Sequence, residues 1–293
     1  MTVLVTGATG NIGPHVVAAL AAQGTPTRVI SRDAERARSL LPEGVEVFEG
    51  DLADGAVTAA LDGVDALFLL TPHAYDMADL QLRIIREVRR RGVRVVKLSG
   101  TDSAVRADGP QALRQHWEVE TVLRDSGQPF AILRANAFMQ TMIGQIMLPA
   151  MRATGRIPNP IADAGLAMID GVDVGAVAAR VLVDDRWDGE TIVLTGPRAV
   201  AYREIAERIG VLRGTAVDLI EITPAEVRAT LLARGAEPWE AEHFEEVYQV
   251  FRNHGAEAVT DAVEEIAGRP AGTVEAYLER TADAYRAESP DAA

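Results

Sequence analysis

Thr2-Val3-Leu4-Val5-Thr6-Gly7-Ala8-Thr9-Gly10-Asn11-Ile12-Gly13 reads as an apolar strand, three glycines spaced G-x-x-G-x-x-G, and the start of an amphipathic helix. The pattern predicts a strand over Val3–Thr6 and a helix over Ile12–Gln23. Glycines between two such elements let the chain turn sharply, let its backbone come close to a pyrophosphate, and let the helix pack tightly on the strand. The helix N-terminus then offers N–H donors and a partial positive charge to phosphate oxygens. Gly7, Thr9, Gly10, Asn11, Ile12 and Gly13 are therefore the first candidates for holding a dinucleotide.

Outward from this loop, short apolar runs recur at Thr27–Ile30, Val45–Phe48, Ala66–Leu70, Val93–Leu98 and Phe130–Leu133. Helical patterns separate them at Ala34–Leu41, Gly55–Leu61, Asp76–Arg91 and Leu113–Ser126. Strands apolar throughout, alternating with helices, predict βαβ units on a parallel sheet covered on both faces. Arg83, Arg86, Arg89 and Arg90 fall largely opposite the apolar face of their helix, as a solvated surface does. The second half is less regular. It predicts a helix over Asp173–Val183 with Asp173 as its N-cap, and strands over Thr191–Leu194 and Val217–Ile222. A capped helix start follows at Thr223-Pro224-Ala225-Glu226, then a mainly helical stretch to Tyr285 and a fraying tail, Glu288–Ala293. The expected architecture is α/β: a doubly wound parallel-sheet Rossmann fold with a smaller, mainly helical C-terminal substrate lobe. Residues 1–155 would form the nucleotide-binding core. Residues 156–293 would supply the remaining core elements interleaved with the lobe, in one continuous structural unit.

Cofactor preference is read at the end of the second strand, where an acid suits a free ribose 2′-OH and an arginine suits a 2′-phosphate. The chain has Ser31-Arg32-Asp33 there and Arg36 one helical turn later, which favours NADP(H) over NAD(H). In the opposite reading, Asp33 is the ribose acid and Arg32 a solvated side chain. The formal charge of −14 speaks against nucleic acid or an anionic membrane as a partner. No run is long enough for a membrane span, and no basic flank or cleavage site marks a signal peptide, so a cytoplasmic protein is expected. Without cysteine there are no disulfides, thiolate nucleophiles or sulfur-ligated metals, and the five histidines show no metal-ligand spacing, so no metal is expected. Lys97 is the only lysine, so any chemistry that needs an amine side chain must use it. The apolar helices can be used up within one domain, so monomer is favoured over homodimer.

Gly7-Ala8-Thr9-Gly10-Asn11-Ile12-Gly13, Ser31-Arg32, Gly50-Asp51-Leu52, Leu98-Ser99-Gly100, Leu133-Arg134-Ala135-Asn136-Ala137-Phe138 and the closing Val263–Pro270 segment occur together. This combination resembles the NmrA-like branch of atypical short-chain dehydrogenases/reductases, from residue 2 to about residue 280. The resemblance implies that Asp51 and Leu52 contact the adenine, that Leu70 and Thr71 flank the ribose, and that Ala135 and Asn136 lie beside the nicotinamide. It does not imply a substrate, because the branch mixes quinone reductases, natural-product reductases and redox-sensing regulators.

Most short-chain reductases pair a tyrosine with a lysine four residues later. Here the position four before Lys97 is Val93, and none of Tyr75, Tyr202, Tyr248, Tyr277 and Tyr285 has a lysine four residues on. The corresponding region reads Arg114-Gln115-His116-Trp117-Glu118-Val119-Glu120, which places His116 and Glu120 at i and i+4 on one helix face. A histidine can give a proton to a developing alkoxide near neutral pH, and a carboxylate can orient it. His116, Glu120 and Ser99 are the catalytic candidates; the alternative for His116 is hydrogen bonding within the fold. His73 would border the cofactor, and His15 would be structural. Phe138, Met139 and Met142 begin a methionine-rich segment that would either wall a pocket for a small apolar substrate or form a buried helix. The reading is an NADP-dependent reductase of a carbonyl, quinone, enone or imine compound. The rival is a non-catalytic NADP(H) sensor acting through a protein partner, and a net non-redox reaction with the cofactor cycling in place is a third option.

Overall fold

A computed structural model describes residues 1–285; the tail Glu288–Ala293 lies outside them. The strands are β1 (Val3–Val5), β2 (Thr27–Ser31), β3 (Glu46–Glu49), β4 (Ala66–Leu69), β5 (Arg94–Ser99), β6 (Phe130–Ala135), β7 (Arg156–Asn159), β8 (Gly165–Leu166), β9 (Thr191–Leu194), β10 (Val200–Ala201) and β11 (Asp218–Glu221). The first five helices are α1 (Gly13–Ala22), α2 (Ala34–Leu40), α3 (Ala56–Ala60), α4 (Met77–Arg90) and α5 (Gln111–Asp125). Then come α6 (Leu148–Thr154), α7 (Gly171–Leu182), α8 (Tyr202–Arg213), α9 (Pro224–Ala233), α10 (Pro238–Arg252), α11 (Ala262–Ala267) and α12 (Val274–Arg280).

The chain divides into two compact units. The first comprises Met1–Ala135, Gly171–Leu194 and Asp261–Pro270. Its sheet runs β3-β2-β1-β4-β5-β6-β9, parallel throughout. This is the expected doubly wound sheet. The strand order reverses beside β1, and such a reversal opens a crevice at the carboxyl ends of the strands where ligands bind. Leu4, Leu67, Leu69, Val95 and Ile132 of the strands join Ile84, Ile85, Val88, Val119 and Leu123 of α4 and α5 in one apolar cluster. Elsewhere α1 packs against α7, and a Cβ on Gly175 would lie 2.5 Å from the carbonyl oxygen of His15, so that crossing tolerates no side chain. Buried Arg94 bonds the carbonyls of Val181 and Asp184, tying the chain between α7 and β9 to the start of β5.

The second unit comprises Asn136–Asp170, Thr195–Thr260 and the chain from Ala271. The break thus falls after Ala135 rather than at residue 155. The reason is packing: Met139, Met142, Ile143, Met147 and Met151 belong to an apolar core shared with Tyr202, Ile205, Tyr248 and Tyr277 of the same unit. Gln140–Met147 is π-helical before α6 begins. Its wider turn puts Met142 and Met147, five residues apart, into one core. The strands β7 and β11 pair in parallel, and β8 pairs β10 antiparallel; only β11 was anticipated. Thr223 and Glu226 form the expected reciprocal cap, with the Thr223 N–H donating to the Glu226 carboxylate at 2.6 Å.

One sequence expectation is corrected here. Asp173 is not the N-cap of α7, which begins at Gly171; it lies inside the first turn with its side chain only 1% exposed. Its carboxylate meets Arg269 at 2.6 Å, a residue just past α11, so this pair fastens the returning segment Asp261–Pro270 to the first unit. Removing one partner leaves a buried carboxylate without its cation. Arg269→Ala should therefore lower stability by about 1–3 kcal/mol. In a double-mutant cycle with Asp173→Asn, read by denaturant midpoints, the two losses should be less than additive. Full additivity would show that the two side chains do not interact.

Candidate active site

The glycine loop is folded against the end of β4. Gly7 has φ +66°, and a Cβ on it would lie 2.8 Å from Leu70 Cγ and 2.9 Å from the Leu70 carbonyl oxygen. A Cβ on Gly13 would overlap the Gly7 carbonyl oxygen. The Thr6 hydroxyl locks the same junction, donating to the Leu70 carbonyl at 2.8 Å and accepting the Leu70 N–H at 2.9 Å. At the start of α1, Ile12 stands at the N-cap and contributes no side-chain cap. Thr9 is half-buried, and Gly10 and Asn11 are exposed. A backbone surface kept bare of side chains at a helix N-terminus fits a dinucleotide pyrophosphate.

At the end of β2, the buried Ser31 hydroxyl bonds the backbone of Asp33. Asp33 accepts the Arg36 N–H at 2.9 Å and so serves as the cap of α2. Arg32 extends into solvent, its side chain 81% exposed, with Nη1 3.9 Å from the Asp51 carboxylate. Asp51 itself accepts the Ala53 N–H at 2.8 Å, capping the short turn Leu52–Asp54. Arg36 is exposed and Leu52 half-buried. Exposed guanidinium at the edge of β2 and β3 suits a ribose 2′-phosphate.

A buried polar cluster lies further across the sheet, between β5, β6 and α5. Glu120 has no exposed surface. Its Oε1 accepts from the Ser99 hydroxyl at 2.6 Å and from Arg134 Nε at 3.1 Å; its Oε2 accepts from Arg134 Nη2 at 2.6 Å and Arg124 Nη2 at 2.9 Å. Arg134 also donates to Asp102 at 2.8 Å. Burial by itself would raise the Glu120 pKa, but the bonds from Arg134 and Ser99, and the charges of Arg134 and Lys97, outweigh it and hold it low. Lys97, equally buried, places Nζ 2.7 Å from His116 Nδ1 and donates to the Leu98 carbonyl at 3.1 Å. Desolvation brings its pKa down to about 7, with Glu120 pulling the other way and Arg134 adding to the fall.

The expected orientation of His116 by Glu120 is thereby corrected. His116 and Glu120 share a helix face, but the four bonds named above take up both carboxylate oxygens, and it is Lys97 that meets His116 Nδ1. The His73 ring stands edge-on to His116, with centroids 5.5 Å apart. His73 lies exposed in the loop after β4, yet the protein packed around its ring and, secondarily, the Lys97 charge lower its pKa.

The other predicted residues are distributed as follows. Leu70 is half-buried over Gly7, and buried Thr71 accepts from Gln81 Nε2 at 2.8 Å. Ala135 is buried at the end of β6. Asn136, first residue of the second unit, donates to the Ala256 carbonyl at 2.9 Å and accepts the Ala137 N–H at 2.8 Å, both within that unit. Met139 and Met142 are core residues there, while Phe138 is half-buried. No group of residues fit to hold a metal occurs among the described residues, and none of their helices is long and apolar enough to cross a membrane. The sequence reading missed Arg134, Asp102 and Arg124, and gave Lys97 no place. The signal was present: a lysine and an arginine inside apolar strands covered on both faces must each find buried partners.

The profile of the NmrA-like family matches residues 1–278. A reductase of (4-alkanoyl-5-oxo-2,5-dihydrofuran-3-yl)methyl phosphate from Streptomyces griseus is 32% identical over 292 residues, spanning 98% of this chain and 100% of the relative. An NAD(P)H azoreductase from Xenophilus azovorans is 29% identical over 287 residues, spanning 97% and 99%. Among solved structures, an NADPH-dependent quinone oxidoreductase of Escherichia coli in complex with NADPH superposes with a TM-score of 0.83 at 23% identity, covering 95% of this chain and 99% of that one. At that identity the likeness speaks for the fold.

Lys97 makes the stability of the first unit depend on pH in a definite sense. Below about pH 7 the folded and unfolded chains both carry the proton, and the burial cost of the ammonium is fully present. Between about 7 and 10.5 only the unfolded chain holds it, so stability rises with pH. Lys97→Met should therefore gain most relative to the parent at pH 6, on the order of a few kcal/mol. That gain should shrink steadily towards pH 10 when the melting temperatures of the two proteins are compared. A pH-independent difference would mean that the amine is not desolvated in the fold.

Proposed function

The chain belongs to the NmrA-like family, and from that membership we propose that it is an NADPH-dependent reductase of a small, largely apolar acceptor: a quinone, enone, imine or other conjugated, electron-poor double bond. The observation that carries this reading is the glycine cradle, where side chains on Gly7 or Gly13 would collide with Leu70 and with the Gly7 carbonyl. The 32% identical relative supports the acceptor class, because a 5-oxo-2,5-dihydrofuran bearing an alkanoyl group is a conjugated unsaturated lactone.

Gly7, Thr9, Gly10, Asn11, Ile12 and Gly13 would hold the pyrophosphate through backbone N–H groups and the α1 terminus. Ser31, Arg32 and Arg36 would take the 2′-phosphate, Asp51 and Leu52 the adenine, and Leu70 and Thr71 the ribose. Ala135 and Asn136 would border the nicotinamide, and Phe138, Met139 and Met142 the substrate; of these three, Phe138 has the surface to do so. A reduced nicotinamide supplies hydride when bound, so the chain's own work is to align the acceptor and manage one proton. His116 would hand that proton to the heteroatom that gains charge, with Ser99 and Glu120 holding the helix that carries it. NAD(H) would bind more weakly, since Asp33 is committed to capping α2.

Two outcomes test the reading. Arg32→Ala should weaken NADPH binding by about 10- to 150-fold, the worth of one charge-assisted phosphate bond, and leave NADH affinity nearly unchanged in fluorescence titrations. Equal affinities of the parent for both cofactors would refute the assignment. His116→Ala should cut turnover of an enone or ketone by ~10²–10⁴ while sparing NADPH affinity. With a quinone, already electrophilic, the loss should be much smaller. Absence of NADPH oxidation by the parent across quinones, enones, imines and azo dyes would point instead to a cofactor-binding sensor.

A further inference from the structure

The buried amine has no place in the mechanism so far, yet it stands 2.7 Å from the ring of the residue given the proton. Resting on the reading of His116 as donor, we propose that Lys97 is a positioning residue that fixes His116 in the tautomer with its proton on Nε2.

The argument is one of donors and acceptors. An ammonium has three donors and no acceptor. Facing Lys97 Nζ at 2.7 Å, His116 Nδ1 must present its lone pair, and the ring proton must sit on Nε2. The geometry around the ring agrees: Cδ2, the carbon next to Nε2, lies 3.6 Å from where a Cβ of Gly100 would stand, one residue beyond the carboxyl end of β5. The Nδ1 edge thus faces the strand-bound lysine, while the Nε2 edge lies towards the end of the sheet where open α/β folds bind ligands. Lys97 is held for this task by the Leu98 carbonyl at 3.1 Å. A neutral amine can accept as well as donate, so deprotonation would release the constraint. The depressed basicity of Lys97 places that release near pH 7. Burial sets it first; among the facing groups Glu120 on α5 favours the ammonium and Arg134 on β6 opposes it, while the ammonium in turn lowers the basicity of His73 after β4.

Nitrogen-15 NMR of the histidine rings in the whole, unmutated protein reads the tautomer directly, with His116→Gln assigning the signal. At pH 6 the Nε2–H form should dominate for His116, and a share of Nδ1–H should appear as pH rises through 7. An Nδ1–H tautomer at pH 6 would overturn the proposal. In steady-state assays with NADPH and 1,4-naphthoquinone or an aryl enone, Lys97→Met should lower kcat on the enone by ~10-fold or more with KM little changed. It should also flatten the falling limb of kcat near pH 7, and Lys97→Arg, which still donates, should restore part of kcat. A drop in kcat with the limb intact would overturn the role. Should the parent oxidise no NADPH, the reductase reading fails while the tautomer spectrum still decides what the lysine does. If Lys97→Met does not fold, the parent spectrum and Lys97→Arg decide it.

Discussion

A carboxylate with no exposed surface must be neutralised where it sits, and in this fold that condition falls on Glu120. Two of its partners, Ser99 and Arg134, are fixed on neighbouring strands, and the third, Arg124, is one turn along its own helix. Rotating α5 by one residue, about 100°, would carry the carboxylate away from both strands at once. The net energy of such a buried pair is small, because desolvation consumes much of the Coulombic gain. What it fixes is register. His116, one turn before Glu120, is delivered to Lys97 by the same rotation.

The two ends of the crevice are built by different means. On the side of β1 and β2 the work falls to backbone: glycines that admit no Cβ, a helix terminus, and an arginine that keeps its freedom in solvent. On the side of β5 and β6 it falls to side chains locked in a network, with Lys97, Glu120 and Arg134 all largely withdrawn from water. This contrast suits a scaffold whose relatives are named for quite different acceptors. The tight backbone loop can stay the same while the chemistry beside it is rewritten. In this chain the amine of β5 meets a histidine of α5.

Local patterns carried the first unit well. The strand at Val93–Leu98, the loop at Gly7–Gly13 and the helix around His116 were legible because each rests on a short-range rule of periodicity or glycine spacing. The capped start at Thr223 was legible for the same reason. Asp173 was misread because an acid near a helix start looks like a cap, whereas its real partner, Arg269, is far along the chain. The partner of His116 was misjudged in the same way: the i+4 carboxylate is visible in sequence, but the lysine reaches it only through the register of β5 against α5. A helix was legible in the methionine-rich segment, but its π-helical turn over Gln140–Met147 was not, because the 3- and 4-residue apolar spacings there suit an ordinary helix as well.

The solitary lysine has a further consequence. The chain offers amine-reactive reagents no exposed side-chain amine, since its one lysine, Lys97, is sealed between β5 and α5. Acylation of Lys97 can proceed only when that junction opens. The rate at which an active ester marks this one residue is then a clock for opening of the β5–α5 seam, reporting on a single site without any engineered probe.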